Sequence, residues 1–289
     1  MGYAANTIDM LAGWLGTVVP SKGGILELGD QWINIEPGPD EIAALRRLVS
    51  RASRDPSRVD DIMGRHFINR PRRIASAFED SDFCYRCLDV CDGPGIIRAD
   101  LNEYRVPAEW RGRFDLVTNF GTTEHVLDQV NSFRVMHDFA KVGARFIHHV
   151  PFAGYFNHGL FTYTPAFFVF LAHANNYEIE QLDLTAPHLP YSIPAIEALP
   201  GSRAWQEILQ QSGIVVARFR KTTDGPFAIF SDYDANLVGQ RPLGEPWRTM
   251  IAERYDLRVR AECSTELAER DRSPRFLRRV TALARRMRS

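Results

Sequence analysis

The chain has 289 residues, a length that suits one elaborated α/β domain and leaves two domains as the weaker alternative. Its 35 Lys and Arg residues nearly balance its 36 Asp and Glu residues, so the charge gives no case for a polyanionic partner, and we expect no nucleic acid. With 45% hydrophobic and 25% charged residues, the composition excludes disordered, collagen-like and coiled-coil chains.

The apolar runs and the cysteine content indicate a cytoplasmic protein. No apolar run approaches the roughly 18 to 20 residues that a membrane-spanning helix needs, and the N-terminus lacks the basic and apolar regions of a signal peptide. Four cysteines are too few for a disulfide scaffold in a chain of this length and suit a reducing compartment.

Hydrophobic periodicity predicts helices that alternate with strands. The first 22 residues carry an amphipathic helix and an apolar strand follows at 24–29. Residues 31–80 form a partly helical insertion with helical patterns at 40–53 and 59–78, broken by Pro56 and Pro71. Further strands are predicted at 85–90, 96–100, 114–119, 145–150, 177–184 and 214–220, helices at 124–141 and 165–175, and a loop insertion at 185–213.

This alternation predicts an α/β fold of the Rossmann-like, doubly wound type. We expect a mostly parallel sheet of seven strands with helices on both faces and a helical insertion after the first strand. The domain spans 23–233, and 234–289 is a C-terminal extension. One link resists the scheme, because only residues 91–95 separate two strands that a parallel crossover would normally join through a dozen or more residues. Either this link is a bare loop or one of the two strands is wrongly predicted.

Ligands of such sheets bind beyond the carboxyl ends of the strands, so polar residues at those ends are candidates for function. Asp89 ends the second long strand and can accept hydrogen bonds from both hydroxyls of a ribose. Asp100, one strand later, can accept from an adenine amino group while Leu101 packs on the ring, and Gly29 allows a ligand to approach the backbone closely. Each acid taken alone fits helix capping as well, and it is their order along the chain that favours a binding role.

The order of these residues resembles that of the class I, Rossmann-like S-adenosylmethionine-dependent methyltransferases over about residues 23–221. Ile-Leu-Glu-Leu-Gly29 is similar to the first motif of that family, Leu-Asp89 to its ribose-binding acid, and Ala-Asp100-Leu-Asn to its adenine-side motif. The segment Phe114-Asp-Leu-Val-Thr-Asn119, with the following Thr-Glu124-His125-Val, resembles the fourth-strand motif of the branch that acts on small molecules and glycans.

The resemblance implies S-adenosylmethionine as the cofactor. It implies that the methionine part lies near Glu27, Gly29 and Asn119, the ribose at Asp89 and the adenine at Asp100 and Leu101. The chain departs from the family where a second glycine usually follows Gly29, because Asp30 stands there and brings a negative charge towards the cofactor's carboxylate. A glycine-poor turn also argues against a dinucleotide, whose pyrophosphate needs the full G-x-G-x-x-G sequence.

Two histidines are candidates for the catalytic base, since methyl transfer to a hydroxyl requires a group that takes the proton near neutral pH. They are His125, which follows the fourth parallel strand, and His158, which lies in an aromatic and polar loop at 152–163. Loops of this kind resemble those of glycan-branch methyltransferases, and its composition suits a sugar or a phenolic ring. The candidate acceptor-binding residues are His149, Tyr155, Asn157 and Tyr163.

The pair Glu124 and His125 has two further interpretations. It can cap or pack the helix after the strand, or it can join His149 or His158 in a site for a divalent ion such as Mg²⁺, as the resemblance suggests. The related metal-binding proteins offer another Glu three residues earlier, where this chain has Gly121, so the sequence favours the base over the metal.

Residues 273–289 predict a basic amphipathic helix with six arginines. Such a helix can lie peripherally on an anionic inner membrane surface, or pack on its own domain or on a partner in a homodimer. The sequence thus predicts an O-methyltransferase acting on a sugar or an intermediate of polysaccharide biosynthesis. The alternatives are methylation of a phenolic or natural-product small molecule and a noncatalytic domain that retains the fold.

Overall fold

The structure is a computed structural model. It describes residues 3–33, 37–68, 72–186, 192–195, 202–210 and 212–231. Contacts divide the chain into Met1–Arg241 and Pro242–Ser289, and every described residue belongs to the first unit. The predicted extension 234–289, its basic helix at 273–289 and much of the loop insertion lie outside the described residues, so the proposed domain boundaries stay predictions. None of the described helices is long and apolar enough to cross a membrane.

The described residues form helices and strands in alternation. The helices are α1 Ala5–Trp14, α2 Pro39–Ala52, α3 Val59–His66, α4 Gln129–Phe139, α5 Pro165–Ala174 and α6 Arg203–Gln210. The strands are β1 Gly24–Leu28, β2 Trp32–Ile33, β3 Arg72–Arg73, β4 Cys84–Asp89, β5 Ile96–Arg98, β6 Phe114–Asn119, β7 Ala140–Pro151, β8 Tyr177–Thr185, β9 Ile193–Pro194 and β10 Ile214–Lys221.

The predicted α/β fold is confirmed. The main sheet has the order β5-β4-β1-β6-β7-β10-β8-β9, in which β5 to β7 run parallel and β10 lies antiparallel between β7 and β8. The described sheet has eight strands, one more than predicted, because the two-residue strand β9 pairs with the edge of β8. The parallel half has the order of a Rossmann sheet, which places a crevice beyond the carboxyl ends of β1 and β6.

The short link between β4 and β5 is a bare loop, and both predicted strands are present. This is the first of the two alternatives that the sequence left open. Strand β5 pairs only with the last residues of β4, from Cys87 opposite Ile96 to Asp89 opposite Arg98. The loop therefore returns along β4 by only two residues, a distance that six residues of chain span without a helix.

One predicted helix is shorter than expected, and one strand is longer. The helical pattern at 59–78, predicted to break at Pro71, consists of α3, which ends at His66, and a separate 3-10 turn at Ile74–Phe78. The helix expected at 124–141 begins only at Gln129, where the Asp128 side chain accepts a hydrogen bond from the Asn131 backbone N–H and so caps the helix. Strand β7 begins at Ala140, directly after α4 and five residues before the predicted start at 145.

One face of the sheet is covered by the N-terminal helix and the insertion. Helices α1 and α2 bury Ile8, Leu11, Leu45 and Leu48 against Ile25 of β1. Each of these side chains contributes about 1.5 to 3 kcal/mol when fully buried. The insertion is thus part of the domain's core, and it fixes the chain that follows β1.

Candidate functional site

The carboxyl ends of β1, β4 and β6 meet at one edge of the sheet. Leu28 pairs with Leu88 on one side and with Asn119 on the other, so the residues after these strands are neighbours. Gly29 turns the chain with a φ of +74°, a conformation that favours glycine, and its N–H donates to the Leu88 carbonyl. The structure brings together Gly29, Asp89 and Asn119, as the sequence analysis expected.

The turn after β1 is held by hydrogen bonds from three directions. The Asp30 backbone N–H donates to Asp89 Oδ2 at 2.8 Å, and the Asp30 carboxylate pairs with Arg73 of β3, whose Nε lies 2.6 Å from Oδ2. The Ile74 N–H donates to the Gln31 carbonyl at 3.2 Å. The second Asp89 oxygen accepts from the Cys91 backbone at 2.9 Å, so this carboxylate joins the turn after β1 to the loop after β4.

Gln31 fills the space between the ends of β1 and β6. Its Nε2 lies 3.0 Å from Thr122 Oγ1 and 3.3 Å from the Leu28 carbonyl, and the Thr122 hydroxyl donates to that same carbonyl at 2.6 Å. A Cβ on Gly29 would stand 2.7 Å from Thr122 Oγ1, so no side chain fits at this position. The turn therefore approaches β6 closely and is covered there by a glutamine side chain.

Glu27 lies below this edge, inside the core. Its side chain is fully buried, its Oε1 has no hydrogen-bond partner among the described residues, and burial raises its pKa to about 8. The hydroxyls of Tyr3 and Tyr85 are buried beside it and oppose part of this rise in its pKa. Glu27 Oε2 accepts from the Gln31 backbone N–H at 3.4 Å, so the carboxyl reaches the turn after β1, and its contact with the cofactor stays a prediction.

A cavity of about 510 Å³ opens beyond β4 and β5. Val90, Ala99, Asp100 and Tyr104 line it, together with the charged side chains of Arg98 and Glu103. Asp100 Oδ1 accepts hydrogen bonds from the Asn102 backbone and side-chain amide at 2.9 and 2.8 Å, which orients the carboxylate at the rim.

The apolar surface of this cavity comes from residues that the sequence analysis did not name. Val90, which is 62% exposed, and Tyr104 both line the cavity, whereas Leu101 is only 5% exposed. The Leu101 carbonyl accepts from the Asn131 side chain at 2.8 Å, which ties this residue to helix α4. An exposed valine directly after a strand-end acid was the signal in the sequence that could have identified this surface.

Asn119 supports the backbone of the next turn. Its Oδ1 accepts from the backbone N–H groups of Thr122 and Thr123, both at 3.2 Å, and its Nδ2 donates to Thr123 Oγ1 at 2.8 Å. The same Nδ2 lies 3.3 Å from Nδ1 of the buried His148. Because both ends of this fully buried amide are engaged, Asn119 positions the turn that carries Glu124 and His125.

Glu124, His125 and His158 form a cluster at the end of β6. One ligand atom from each of the three side chains lies within 4.8 Å of the others, and the two imidazole rings are 4.7 Å apart. The Glu124 carboxyl is fully buried without a hydrogen-bond partner in the described structure, and burial raises its pKa to about 7. His158 Nε2 stands 3.6 Å from Glu124 Oε1.

The loop at 152–163 is fastened to this cluster through its backbone. The Leu160 and Phe161 N–H groups both donate to the Glu124 carbonyl, at 2.6 and 3.1 Å. A Cβ on Gly159, whose φ is +72°, would lie 2.9 Å from Glu124 Cγ. A glycine at this position therefore lets the loop approach close enough to bring His158 to the carboxylate.

The other candidate acceptor residues differ in position. Asn157 is exposed and the Tyr155 ring lies 5.7 Å from that of His158, so both are near the cluster. Tyr163 is 4% exposed, and its hydroxyl lies 2.9 Å from Thr123 Oγ1 and 2.6 Å from Gln129 Oε1, inside the scaffold.

His149 lies outside the cluster that the structure assembles for a metal. Its ring is 6.0 Å from that of Phe120, and burial lowers its pKa to about 4. His158 takes the third place beside Glu124 and His125, because the glycine turn at 159 brings the loop onto Glu124.

Comparison with known proteins finds similarity in structure alone. No family model and no curated protein matches the sequence. One similar solved structure is the Burkholderia thailandensis 1,6-didemethyltoxoflavin-N1-methyltransferase with bound 1,6-didemethyltoxoflavin and S-adenosylhomocysteine: 13% identity, 76% of this chain and 79% of that chain covered, and a TM-score of 0.41.

Two further structures are similar to the same extent. One is the 16S rRNA (adenine(1408)-N(1))-methyltransferase from Catenulisporales acidiphilia, at 11% identity, with 77% of this chain and 95% of that chain covered and a TM-score of 0.36. The other is a geranyl diphosphate methyltransferase in complex with SAM, at 13% identity, with 75% and 85% covered and a TM-score of 0.39. At such identities and TM-scores, these matches carry no argument about what this chain binds.

Proposed function

We propose that this chain is an S-adenosylmethionine-dependent O-methyltransferase that acts on a hydroxyl of a sugar or glycan-biosynthesis intermediate. The observation that carries the proposal is the arrangement along one edge of a Rossmann-ordered sheet. A strand-end acid and an open, partly apolar cavity lie beyond β4 and β5, and a carboxylate with two imidazoles lies beyond β6. The acid and the cavity suit an adenosine group. The carboxylate and the imidazoles suit an acceptor that must lose a proton.

The adenosine part of the cofactor fits the residues around the cavity. Asp89 retains lone pairs for the ribose hydroxyls besides the two backbone N–H groups that it accepts, and Asp100 offers an acceptor at the rim. Val90 and Tyr104 supply apolar surface for the base. The amino-acid part belongs at the Gly29 turn, where Gln31 must leave its contacts with Thr122 and Leu28 to admit it.

The cofactor supplies an activated methyl group, and the protein aligns the acceptor oxygen with it and removes the hydroxyl proton. His158 is the proposed base, with His125 as the neighbouring alternative. His158 Nε2 stands 3.6 Å from Glu124 Oε1, beyond hydrogen-bond distance, and burial raises the pKa of that carboxyl to about 7. When Glu124 is ionised, it stabilises the imidazolium that forms as His158 takes the proton.

The same three side chains offer a second role in the reaction. Glu124, His125 and His158 would hold a divalent ion through one carboxylate and two imidazoles, and such an ion would bind acceptor oxygens. Imidazole ligands favour Fe²⁺ or Zn²⁺ over Mg²⁺, which prefers oxygen ligands.

The acceptor would lie under the loop at 152–163. Phe156 is 95% exposed and Leu160 is 63% exposed, so the loop presents flat apolar surface beside the polar tips of Tyr155 and Asn157. A sugar ring suits this combination because its faces are apolar and its edge carries hydroxyls. A phenolic acceptor uses the same surface, and screening of both acceptor classes separates these alternatives.

The test of the cofactor proposal is calorimetric titration with S-adenosylhomocysteine. We expect binding to the natural chain and a loss of at least about tenfold in affinity in Asp89→Ala, because charged hydrogen bonds to the ribose are removed. Asp82→Ala is the matched control, since Asp82 is a half-exposed acid before the opposite end of β4. A folded protein that binds no S-adenosylhomocysteine would instead favour the noncatalytic domain.

The test of the acceptor proposal uses His158→Ala in the presence of the acceptor found by screening. We expect turnover to be lost while the affinity for S-adenosylhomocysteine changes by less than about threefold, because the cluster lies beyond β6 and the cavity beyond β4 and β5. Unchanged turnover in this variant would remove His158 from the mechanism.

The sequence also predicts peripheral membrane contact, a homodimer and no nucleic-acid partner, and these stay predictions.

A further inference from the structure

We infer that Arg73 binds the carboxylate of the cofactor's amino-acid end. This inference rests on the proposed function and assigns a binding role to a residue of the insertion, 43 positions away from Asp30 along the chain. It answers the difficulty that Asp30 introduces, since a carboxylate would otherwise approach an acidic turn.

Strand β3 places Arg73 beside the turn after β1. Arg73 pairs with Trp32 across the small antiparallel sheet of β2 and β3, and the neighbouring Ile74 N–H donates to the Gln31 carbonyl. The guanidinium then reaches Asp30, with Nε 2.7 Å from Oδ1 and 2.6 Å from Oδ2. A cation from the insertion is thereby fixed next to the turn at which the amino-acid part is proposed to lie.

The guanidinium has hydrogen-bond donors left for a ligand. An arginine carries five N–H donors, and Nε uses one of them on Asp30. Nη2 reaches the Pro94 carbonyl only at 3.5 Å, and Nη1 makes no hydrogen bond to the described residues. Because the side chain is only 20% exposed, a carboxylate that met these donors would be little screened by water.

The acidic groups around the turn make a cation favourable for the carboxylate of the ligand's amino-acid end. Asp30 and Asp89 are joined by a backbone hydrogen bond at this edge, and Asp92 lies in the loop after β4, beside which Arg73 extends. The positive charge of Arg73 offsets the negative charge of Asp30. The planar guanidinium can also bind the two oxygens of a second carboxylate.

The test compares two probes, S-adenosylhomocysteine and 5′-methylthioadenosine, which carries the adenosine part without the carboxylate. In Arg73→Met we expect S-adenosylhomocysteine to bind about ten- to a hundredfold more weakly and 5′-methylthioadenosine to bind within about threefold of the natural chain. Arg73→Lys should recover part of the lost affinity because it keeps the charge without the fork. Arg46→Met, which removes an exposed ion pair elsewhere in the insertion, is the control and should leave both affinities unchanged.

A second comparison separates ligand binding from a structural role. If Arg73 contacts the carboxylate, Arg73→Met weakens S-adenosylhomocysteine binding also in an Asp30→Asn background, where no charge needs to be balanced. If the double variant recovers the full affinity for S-adenosylhomocysteine, Arg73 is only a counter-ion of Asp30. If Arg73→Met weakens the binding of both probes equally, Arg73 supports the structure of the turn. Either result overturns the inference. Failure of both probes on the natural chain would remove the proposed function itself, together with the inference that rests on it.

Discussion

Replacement of Glu27 by glutamine should change how the stability of the protein depends on pH. Glu27 is fully buried on β1, and burial raises its pKa from the ordinary 4.5 to about 8. The folded protein therefore keeps the carboxyl protonated over a range in which the unfolded chain has lost the proton. Because the native state binds more protons there, the free energy of unfolding falls as pH rises. Glutamine has a similar shape and no titrating proton, so it removes this contribution.

The magnitude follows from the pKa difference. Below pH 4.5 both states hold the proton and the contribution is fully present, whereas between pH 4.5 and about 8 the free energy of unfolding falls by about 1.4 kcal/mol for each pH unit. The total loss approaches about 5 kcal/mol by pH 8, a large part of the stability of an ordinary domain. We expect Glu27→Gln to match the natural chain within about 1 kcal/mol at pH 5 and to exceed it by several kcal/mol at pH 8.

Urea denaturation at pH 5, 6, 7 and 8 measures this difference. Other buried groups also titrate in this range, among them His148 and His149, whose lowered pKa values give stability that is lost as pH falls. The difference between the two proteins at each pH cancels these shared contributions and isolates Glu27. If the free energies of unfolding of the two proteins change with pH in parallel, the reasoning is refuted. S-adenosylhomocysteine binding measured on the same samples tests whether Glu27 also contacts the cofactor, in which case the variant would bind it more weakly.

Three further predictions concern the scaffold and the site. Asn119→Ala should lower the free energy of unfolding by about 2 to 4 kcal/mol in urea denaturation, because it leaves the buried N–H groups of the next turn without an acceptor. Tyr163→Phe should cost about 1 kcal/mol of stability and leave the acceptor KM unchanged, and a raised KM would place its hydroxyl in the acceptor site. If the cluster at the end of β6 holds an ion, chelation should abolish turnover and Fe²⁺ or Zn²⁺ should restore it, whereas activity that survives chelation would favour His158 as a base.

The fold could be predicted because its strands are mostly apolar segments that end in glycine or polar residues. Ile25 to Leu28 and Phe114 to Val117 read as buried strands, and the structure places both in the parallel half of the sheet. The eighth strand could not be predicted, since two residues at an edge carry no periodic signal. The start of α4 was missed because helical spacing continues through a turn whose shape is set by Asn119, a residue on another element.

The strand-end acids could be found in the same way, but the role of each residue depends on partners far along the chain. Asp89 was identifiable from its position, whereas its bond to the Asp30 N–H depends on how the two loops meet. Glu27 was assigned to the cofactor edge from its motif; alternation along β1 buries it on the same face as Ile25, and its Oε2 accepts from the Gln31 backbone N–H at 3.4 Å. A motif fixes the position of a residue along a strand, and the packing of other segments decides what its side chain meets.

Gln31 illustrates the same limit at the centre of the site. In the sequence, Asp30 and Gln31 stand where a glycine would leave the turn open. The negative charge of Asp30 is the feature that the sequence displays, because it repels the carboxylate of the cofactor. The structure balances that charge with Arg73, but it fills the crevice with the Gln31 amide, whose bonds to Thr122 and Leu28 join β1 to β6. A ligand group that enters beside Gly29 must replace these hydrogen bonds with its own, and a carboxylate and an ammonium can do so. The determinant of binding at this turn is therefore the exchange of hydrogen bonds at Gln31 as much as the charge that the sequence displays.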